Sequence, residues 1–291
     1  MSRTKVSPSK DKLVAKKSLG QNFLTSAVVP KWMCDAASVT AGDRIVEIGP
    51  GTGALTAILL ERGATVVAIE ADNRMLPILT ERFAAALITG QLKLEHGDAR
   101  TIVLGSLFDA TKPYQVVANI PYYLSGLLLR LTLTSARPPQ TLVFLLQKEL
   151  VTRIARAKKS SLLALSVAVY GTPKYIKTVS RGHFTPAPKV DSAILAITGI
   201  DHHNLPTKAR TDEFFTHLHL GFGQKRKQLL GNLAAVYARA DLETVFTAHK
   251  LPLTIRAEDM GVETWLTLST ALSLLPTQSP LARRQSDSLI E

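Results

Sequence analysis

Arg44-Ile-Val-Glu-Ile-Gly49-Pro-Gly51-Thr-Gly53-Ala-Leu-Thr56 reads as a strand that runs into a glycine turn and then a helix. Glycines there let the backbone approach a ligand closely, and a helix start favours electronegative groups. The next apolar run, Thr65-Val-Val-Ala-Ile-Glu70, ends in an acid 21 positions after Gly49, suited to pairing with ribose hydroxyls. Strand, glycine turn, helix, strand and acid in that order mark a nucleotide-type cofactor without saying which. Read as G-x-G-x-x-A, residues 49–54 also pass for a dehydrogenase fingerprint.

Outward from this unit the alternation continues. Residues 73–87 read as a helix, and Leu92-Lys-Leu-Glu-His-Gly97-Asp98-Ala99 as a third strand ending in an acid placed to meet a cofactor base. Asp98 alone also fits a helix cap, and His96 a strand surface. The fourth strand lies in Gln115-Val-Val-Ala-Asn119-Ile-Pro121-Tyr122-Tyr-Leu-Ser125. Its apolar run ends in a polar Asn119, Pro121 removes a backbone donor and ends the ladder, and a helix over 127–133 follows. An amide, a free carbonyl and an aromatic ring therefore come together at the C-terminal end of a strand, where open α/β sheets bind ligands. The Asn119 and Ile120 carbonyls can each accept one N–H of an adenine amino group while Tyr122 stacks on the ring. A strand-ending turn with a core tyrosine fits the same residues.

Upstream, Ser18-Leu-Gly-Gln-Asn22-Phe-Leu24 is a loop before a helix over about 26–38. Residues 1–17 carry Arg3, Lys5, Lys10, Lys12, Lys16 and Lys17 against Asp11 alone, a net of +5, and read as a flexible basic arm able to touch RNA. Downstream, 141–147 is a fifth strand, and Lys148, Arg153, Arg156, Lys158 and Lys159 cluster on and after a helix, as a solvated face or an RNA groove. A helix over 162–170 and a strand over 174–179 follow. The stiffened loop Phe184-Thr-Pro186-Ala-Pro188-Lys-Val190-Asp191-Ser192-Ala193 enters a last strand at 194–197; Phe184 is a core residue or a second stacking ring.

Residues 199–209 turn polar and read as a linker; His202 and His203 have no partner at metal-ligand spacing, so no metal is assigned. Beyond them the pattern is helical, with stripes at Phe214, Phe215 and Leu218, at Leu229, Leu230 and Leu233, and at Trp265, Leu266, Leu268 and Leu272. Lys225-Arg226-Lys227 is placed for a phosphate contact, and 276–291 reads as a frayed tail. The expected division is a basic arm at 1–17, a catalytic domain at 18–205 and a helical RNA-binding domain at 206–291.

With 46% hydrophobic and 20% charged residues in 291, the composition is that of a soluble globular protein. No apolar run approaches a membrane span, and no hydrophobic leader opens the chain. The lone cysteine, Cys34, rules out an intrachain disulfide and fits the cytoplasm. A formal charge of +12 points to a polyanionic partner, nucleic acid before membrane.

Gln21-Asn-Phe-Leu24, Glu47-Ile-Gly-Pro-Gly51, Glu70, Gly97-Asp98-Ala99, Asn119-Ile-Pro-Tyr122, Phe184-x-Pro-x-Pro-x-Val-Asp-Ser-Ala193 and Arg256-Ala-Glu-Asp occur in that order. In this the chain resembles the ribosomal RNA adenine N6-dimethyltransferase family, most of all its bacterial small-subunit type, over roughly residues 16–275. The resemblance implies a class I (Rossmann-like) methyltransferase sheet with a small all-helical C-terminal domain, and S-adenosyl-L-methionine as cofactor. It implies N6,N6-dimethylation of two adjacent adenosines near the 3′ end of small-subunit (16S) ribosomal RNA during ribosome biogenesis. The partner would be that RNA or the pre-ribosomal small subunit, and the protein a monomer. By position, Asn22 and Leu24 close over the cofactor, Gly49 and Gly51 border its methionine part, and Glu70 holds the ribose. Asp98, with Ala99 beside it, meets the adenine amine, Asn119 lies between cofactor and substrate, and Tyr122 and Phe184 sandwich the target base. Three other readings stay open. A macrolide-resistance type large-subunit methyltransferase shares the catalytic motifs, a dehydrogenase shares only the glycine turn, and a non-catalytic factor shares only the scaffold.

Overall fold

In the computed structural model, which describes residues 16, 19–224 and 226–278, the strand ends seen in the sequence meet along one edge of a sheet. The strands are β1 (Phe23–Leu24), β2 (Arg44–Ile48), β3 (Thr65–Glu70), β4 (Leu92–His96), β5 (Gln115–Asn119), β6 (Thr141–Gln147), β7 (Thr172–Val179), β8 (Phe184–Thr185) and β9 (Ser192–Thr198). A seven-stranded sheet runs in the order β4-β3-β2-β5-β6-β9-β7. β4, β3, β2, β5 and β6 are parallel, and β9 is antiparallel to both its neighbours, β6 and β7. The helices are α1 (Val28–Ala36), α2 (Ala54–Glu61), α3 (Met75–Arg82), α4 (Ala84–Ile88), α5 (Ser125–Leu133), α6 (Lys148–Ala155), α7 (Leu162–Ala168), α8 (Lys208–Gly221), α9 (Leu229–Leu233), α10 (Arg239–Ala248) and α11 (Val262–Leu272).

The apolar runs form strands because both faces of the sheet are covered, so successive side chains bury on opposite sides. Val116 and Ala118 of β5, with Leu142, Phe144 and Leu146 of β6, join one core. Val117, Val143 and Leu145 between them join the other, with Val29, Met33 and Cys34 of α1 and Ile58 and Leu59 of α2. The first core continues without a break into Phe214, Phe215 and Leu218 of α8 and Trp265, Leu268 and Leu272 of α11.

Four expectations are revised. The helix read over 73–87 is broken at Phe83, whose ring turns back onto the glycine turn and occupies the space that a Gly53 Cβ would need. The polar stretch after 199 is not a free linker. Ile200 and Leu205 are buried, His202 Nε2 lies 2.8 Å from the Leu133 carbonyl, and Asn204 donates to the Val169 carbonyl. At the start of the expected frayed tail, Gln278 N–H donates to the Val236 carbonyl. A two-stranded antiparallel ribbon, Leu24 facing Phe184, had no period long enough to be read from sequence. The basic arm, apart from Lys16, lies outside the described residues, as do Lys225 and residues 279–291.

His217 of α8 is buried with its ring nitrogens 2.9 Å from Ser269 Oγ and 2.7 Å from Tyr237 Oη. Burial, and then the nearby Arg210 charge, lower its pKa from 6.5 to about 4. The folded chain thus refuses a proton that the unfolded chain accepts. The stability involved is complete above about pH 6.5 and is lost as pH falls through about 4. His217→Gln should therefore lose less stability than the wild type between pH 7 and 4, each tenfold fall in proton affinity being worth about 1.4 kcal/mol. Urea midpoints across that range check it.

Candidate active site

Gly49 follows β2, Glu70 ends β3, Asp98 follows β4 and Asn119 ends β5, so neighbouring strands deliver these residues to one edge. Sequence order runs outward from β2 to β4 and then jumps back to β5, which opens a crevice between β2 and β5. A cleft of about 1030 Å³, including the open solvent at its mouth, fills that crevice. All of the residues expected to bind cofactor or substrate line it: Asn22, Leu24, Gly49, Gly51, Glu70, Asp98, Ala99, Asn119, Tyr122 and Phe184.

Glu70 is 6% exposed. One carboxylate oxygen accepts the Gly51 N–H at 3.1 Å and the other the Asp72 N–H at 2.8 Å. Burial raises its pKa, while those two amides pull the other way. Each oxygen keeps a lone pair for a ribose hydroxyl. Gly51 has φ +57°, and a Cβ on it would stand 3.0 Å from the Phe23 ring, so the glycine is needed both for its left-handed backbone and for close cover.

Asn119 Nδ2 donates to the Asn22 carbonyl at 3.2 Å. With its amide nitrogen tied to the N-terminal segment, the side-chain oxygen is the end left for a ligand. Tyr122 sits in the short turn between β5 and α5, half-buried, with its hydroxyl 2.6 Å from Ser192 Oγ at the start of β9. That bond anchors the hydroxyl end of the ring, and burial raises the hydroxyl pKa. The β1–β8 ribbon pairs Leu24 directly with Phe184, and both residues line the cleft.

Three of the expected residues have further partners in the fold. The Asp98 carboxylate is already gripped by Arg100, at 2.8 Å from Nε and 2.5 Å from Nη2, which lowers its pKa. An adenine amine meets this carboxylate only on its remaining lone pairs. Phe184 is 4% exposed and belongs to the core beneath the ribbon, so it both packs and lines the cleft. Lys159 pairs with Glu258 at 2.5 Å and Asp259 at 3.4 Å, tying the helical part to the sheet part.

Sequence reasoning missed Glu47 as a residue of the cleft, and Asp72 as a residue that supports it from outside. Glu47, 1% exposed, lines the floor of the cleft and accepts the Thr56 hydroxyl at 2.7 Å. Burial raises its pKa to about 8, with the Thr56 bond opposing and the Glu70 charge adding to the rise. An acid inside an otherwise apolar strand was the available signal. Ser192, which holds Tyr122, could be found only once β9 was placed beside β6.

The model of the family described as ribosomal RNA adenine dimethylase matches residues 12–273. The chain belongs to this family. A ribosomal RNA small subunit methyltransferase A of Dehalococcoides mccartyi is 35% identical over 256 residues, 87% of each chain. One of Streptococcus equi subsp. zooepidemicus is 35% identical over 268 residues, 88% of this chain and 91% of that one. Among solved structures, the 23S rRNA methyltransferase ErmE superposes with a TM-score of 0.71 at 22% identity, covering 87% of this chain and all of that one. A dimethyladenosine transferase of Plasmodium falciparum gives 0.67 at 24%, covering 84% and 95%. These two share the fold. As a ribosomal RNA adenine dimethylase the protein is a class I methyltransferase whose cofactor is S-adenosyl-L-methionine. The cleft fits that molecule, because Glu70 keeps lone pairs for the ribose and the glycine turn leaves room at the end of β2.

Because the Glu47 pKa is raised, its contribution to stability is complete below about pH 4.5 and lost as pH rises through about 8. Glu47→Gln, which matches the protonated acid in shape, should make the ligand-free protein more stable than the wild type at pH 9 and nearly equal at pH 5. Melting temperatures at the two pH values check this.

Proposed function

We propose that this chain transfers two methyl groups from S-adenosyl-L-methionine to N6 of each of two adjacent adenosines near the 3′ end of small-subunit (16S) ribosomal RNA. The observation that carries the chemistry is Asn119 at the end of β5, its amide nitrogen held by the Asn22 carbonyl and its oxygen left for the amine. The family match and the 35% identity to small-subunit methyltransferases support the substrate class. Likeness to the 23S rRNA methyltransferase ErmE is a likeness of fold.

When bound, S-adenosyl-L-methionine supplies an activated methyl group, so the protein's task is alignment. In the first transfer the Asn119 side-chain oxygen and the Ile120 carbonyl accept the two N–H groups of the adenine amine and point its lone pair toward the donor; in the second, one of them accepts the single N–H that remains. Tyr122, its hydroxyl anchored on Ser192, stacks on the base, and Phe184 closes the other side. The base must leave its stack to reach them, at a cost of a few kcal/mol that aromatic stacking offsets. Each new N–C bond would replace the donor's S–CH3 bond, leaving S-adenosyl-L-homocysteine, and the nitrogen would then lose one proton to solvent, so no ionised base is required.

RNA reaches this mouth across a basic surface. Lys148 N–H donates to the Asp191 carbonyl and Arg181 N–H to the Asp191 carboxylate, which places both beside Ser192, the partner of Tyr122. Lys148, Arg153, Arg156, Lys174, Lys177 and Arg181 are exposed, and none has an acid partner among the described residues. Arg156 lies over the Tyr175 ring at 3.8 Å and Lys177 over Trp32 at 3.9 Å, arrangements suited to unpaired nucleotides as well as phosphates. In the helical part Arg226 and Lys227 are exposed as well. The working form is a cytoplasmic monomer acting on the pre-ribosomal small subunit.

Three outcomes are expected. Glu70→Ala should weaken cofactor binding by about 1.5–3 kcal/mol in calorimetry. Asn119→Ala should abolish N6 methylation, mapped by primer extension on 16S and 23S RNA, while RNA affinity stays near wild type; modification of 23S RNA alone would overturn the substrate assignment. Replacing Lys148, Arg153, Lys174 and Arg181 together by alanine should flatten the log–log salt dependence of RNA binding by about 0.7–0.9 for each phosphate no longer neutralised.

A further inference from the structure

Asp72 lies two residues beyond Glu70, outside the cleft, and is 2% exposed. Its carboxylate accepts the Gln21 side-chain N–H at 2.8 Å, a bond spanning 51 residues, and the Arg74 guanidinium at 2.6 Å. The Lys16 ammonium stands 3.5 Å away. Gln21 is held at its other end too, because its amide oxygen accepts the Lys16 backbone N–H at 2.8 Å. From the opposite side, the Asp72 backbone N–H donates to Glu70 at 2.8 Å. One short network therefore runs from the segment 19–24 to the acid at the end of β3. The turn that leads into α3 explains part of it, since Asp72 also accepts the Arg74 N–H at 3.2 Å. That turn explains neither the burial nor the bond to Gln21.

The same segment rests on two further supports. Gly20 turns with φ +59°, and a Cβ there would stand 3.1 Å from the Tyr123 ring. Phe23 covers Gly51. Both contacts are apolar and non-directional, so they permit sliding; the amide of Gln21 between charged partners is directional and fixes register.

We propose that Gln21 and Asp72 form a latch that holds the segment 19–24 closed over the cleft and, through the Asp72 amide, sets the orientation of Glu70. Asp72 is a positioning residue, acting on the cofactor only through Gln21 and Glu70. The latch rests on the cleft being the S-adenosyl-L-methionine site, and its effect is to slow the cofactor's escape and to presettle the cover before binding.

The test uses the full chain with Gln21→Ala, Gln21→Glu, Asp72→Asn and the Gln21→Ala/Asp72→Asn pair. Amide hydrogen exchange of residues 20–24 in the ligand-free protein should rise about tenfold in each. Gln21→Glu, which sets a second carboxylate against Asp72 at unchanged size, should exceed Gln21→Ala. Stopped-flow release of S-adenosyl-L-methionine should speed up about 5- to 30-fold, and KM for the cofactor should rise with little change in kcat. The pair should be no faster than the faster single variant, because both remove one interaction. Gln21→Ala deletes no core contact, so it remains informative if Asp72→Asn folds poorly. Unchanged exchange and release in Gln21→Ala, or effects that add in the pair, would overturn the latch. Wild-type protein that binds no S-adenosyl-L-methionine would instead overturn the cofactor reading, while the exchange measurement still reports on the latch.

Discussion

β2 and β5 hydrogen-bond side by side although β3 and β4 lie between them in the chain. The reversal of winding forces the connections away from each other and leaves a crevice at the carboxyl ends of these strands. Everything at the site depends on that pairing. It brings Gly49 and Asn119 close enough that a Gly49 Cβ would lie 4.0 Å from the Asn119 carbonyl, and Glu70 reaches back to the Gly51 amide. The strands hold this geometry firmly because their side chains are buried on both faces. Each fully buried valine or leucine contributes about 1.5–3 kcal/mol.

A sheet edge by itself is open to water. The cover comes from two short segments far apart in sequence, β1 and β8, which pair across the mouth. Asn119 bonds to the Asn22 carbonyl in this cover, and Phe184 packs beneath it, so cofactor and substrate sides share one wall. The side-chain amide of Asn119 is thus oriented by the segment that covers the cleft. Closure of that segment and orientation of this amide become the same event.

The helical part is continuous with the catalytic sheet. Tyr170 stacks on Phe215 with ring centroids 6.4 Å apart, His202 packs on Tyr170, and Lys159 reaches Glu258. The shared core gives the helices a fixed angle to the mouth of the cleft. The polar composition of 199–209 concealed this, because its two anchoring apolar residues, Ile200 and Leu205, are too widely spaced to form a pattern.

The parallel sheet, its order of elements and the acids at its strand ends were legible in the chain. Short apolar runs, glycines at Gly49, Gly51 and Gly53, and the acid 21 positions on are local signals with local causes. The ordered motifs added the family and its cofactor. Tertiary structure alone decided what those residues touch. No spacing shows that Asp98 is gripped by Arg100, that Ser192 fixes Tyr122, or that Gln21 finds Asp72 across 51 residues. Local sequence sets backbone preference through sterics and periodicity, whereas a hydrogen bond between distant residues exists only after the sheet has closed and water has been excluded around both partners.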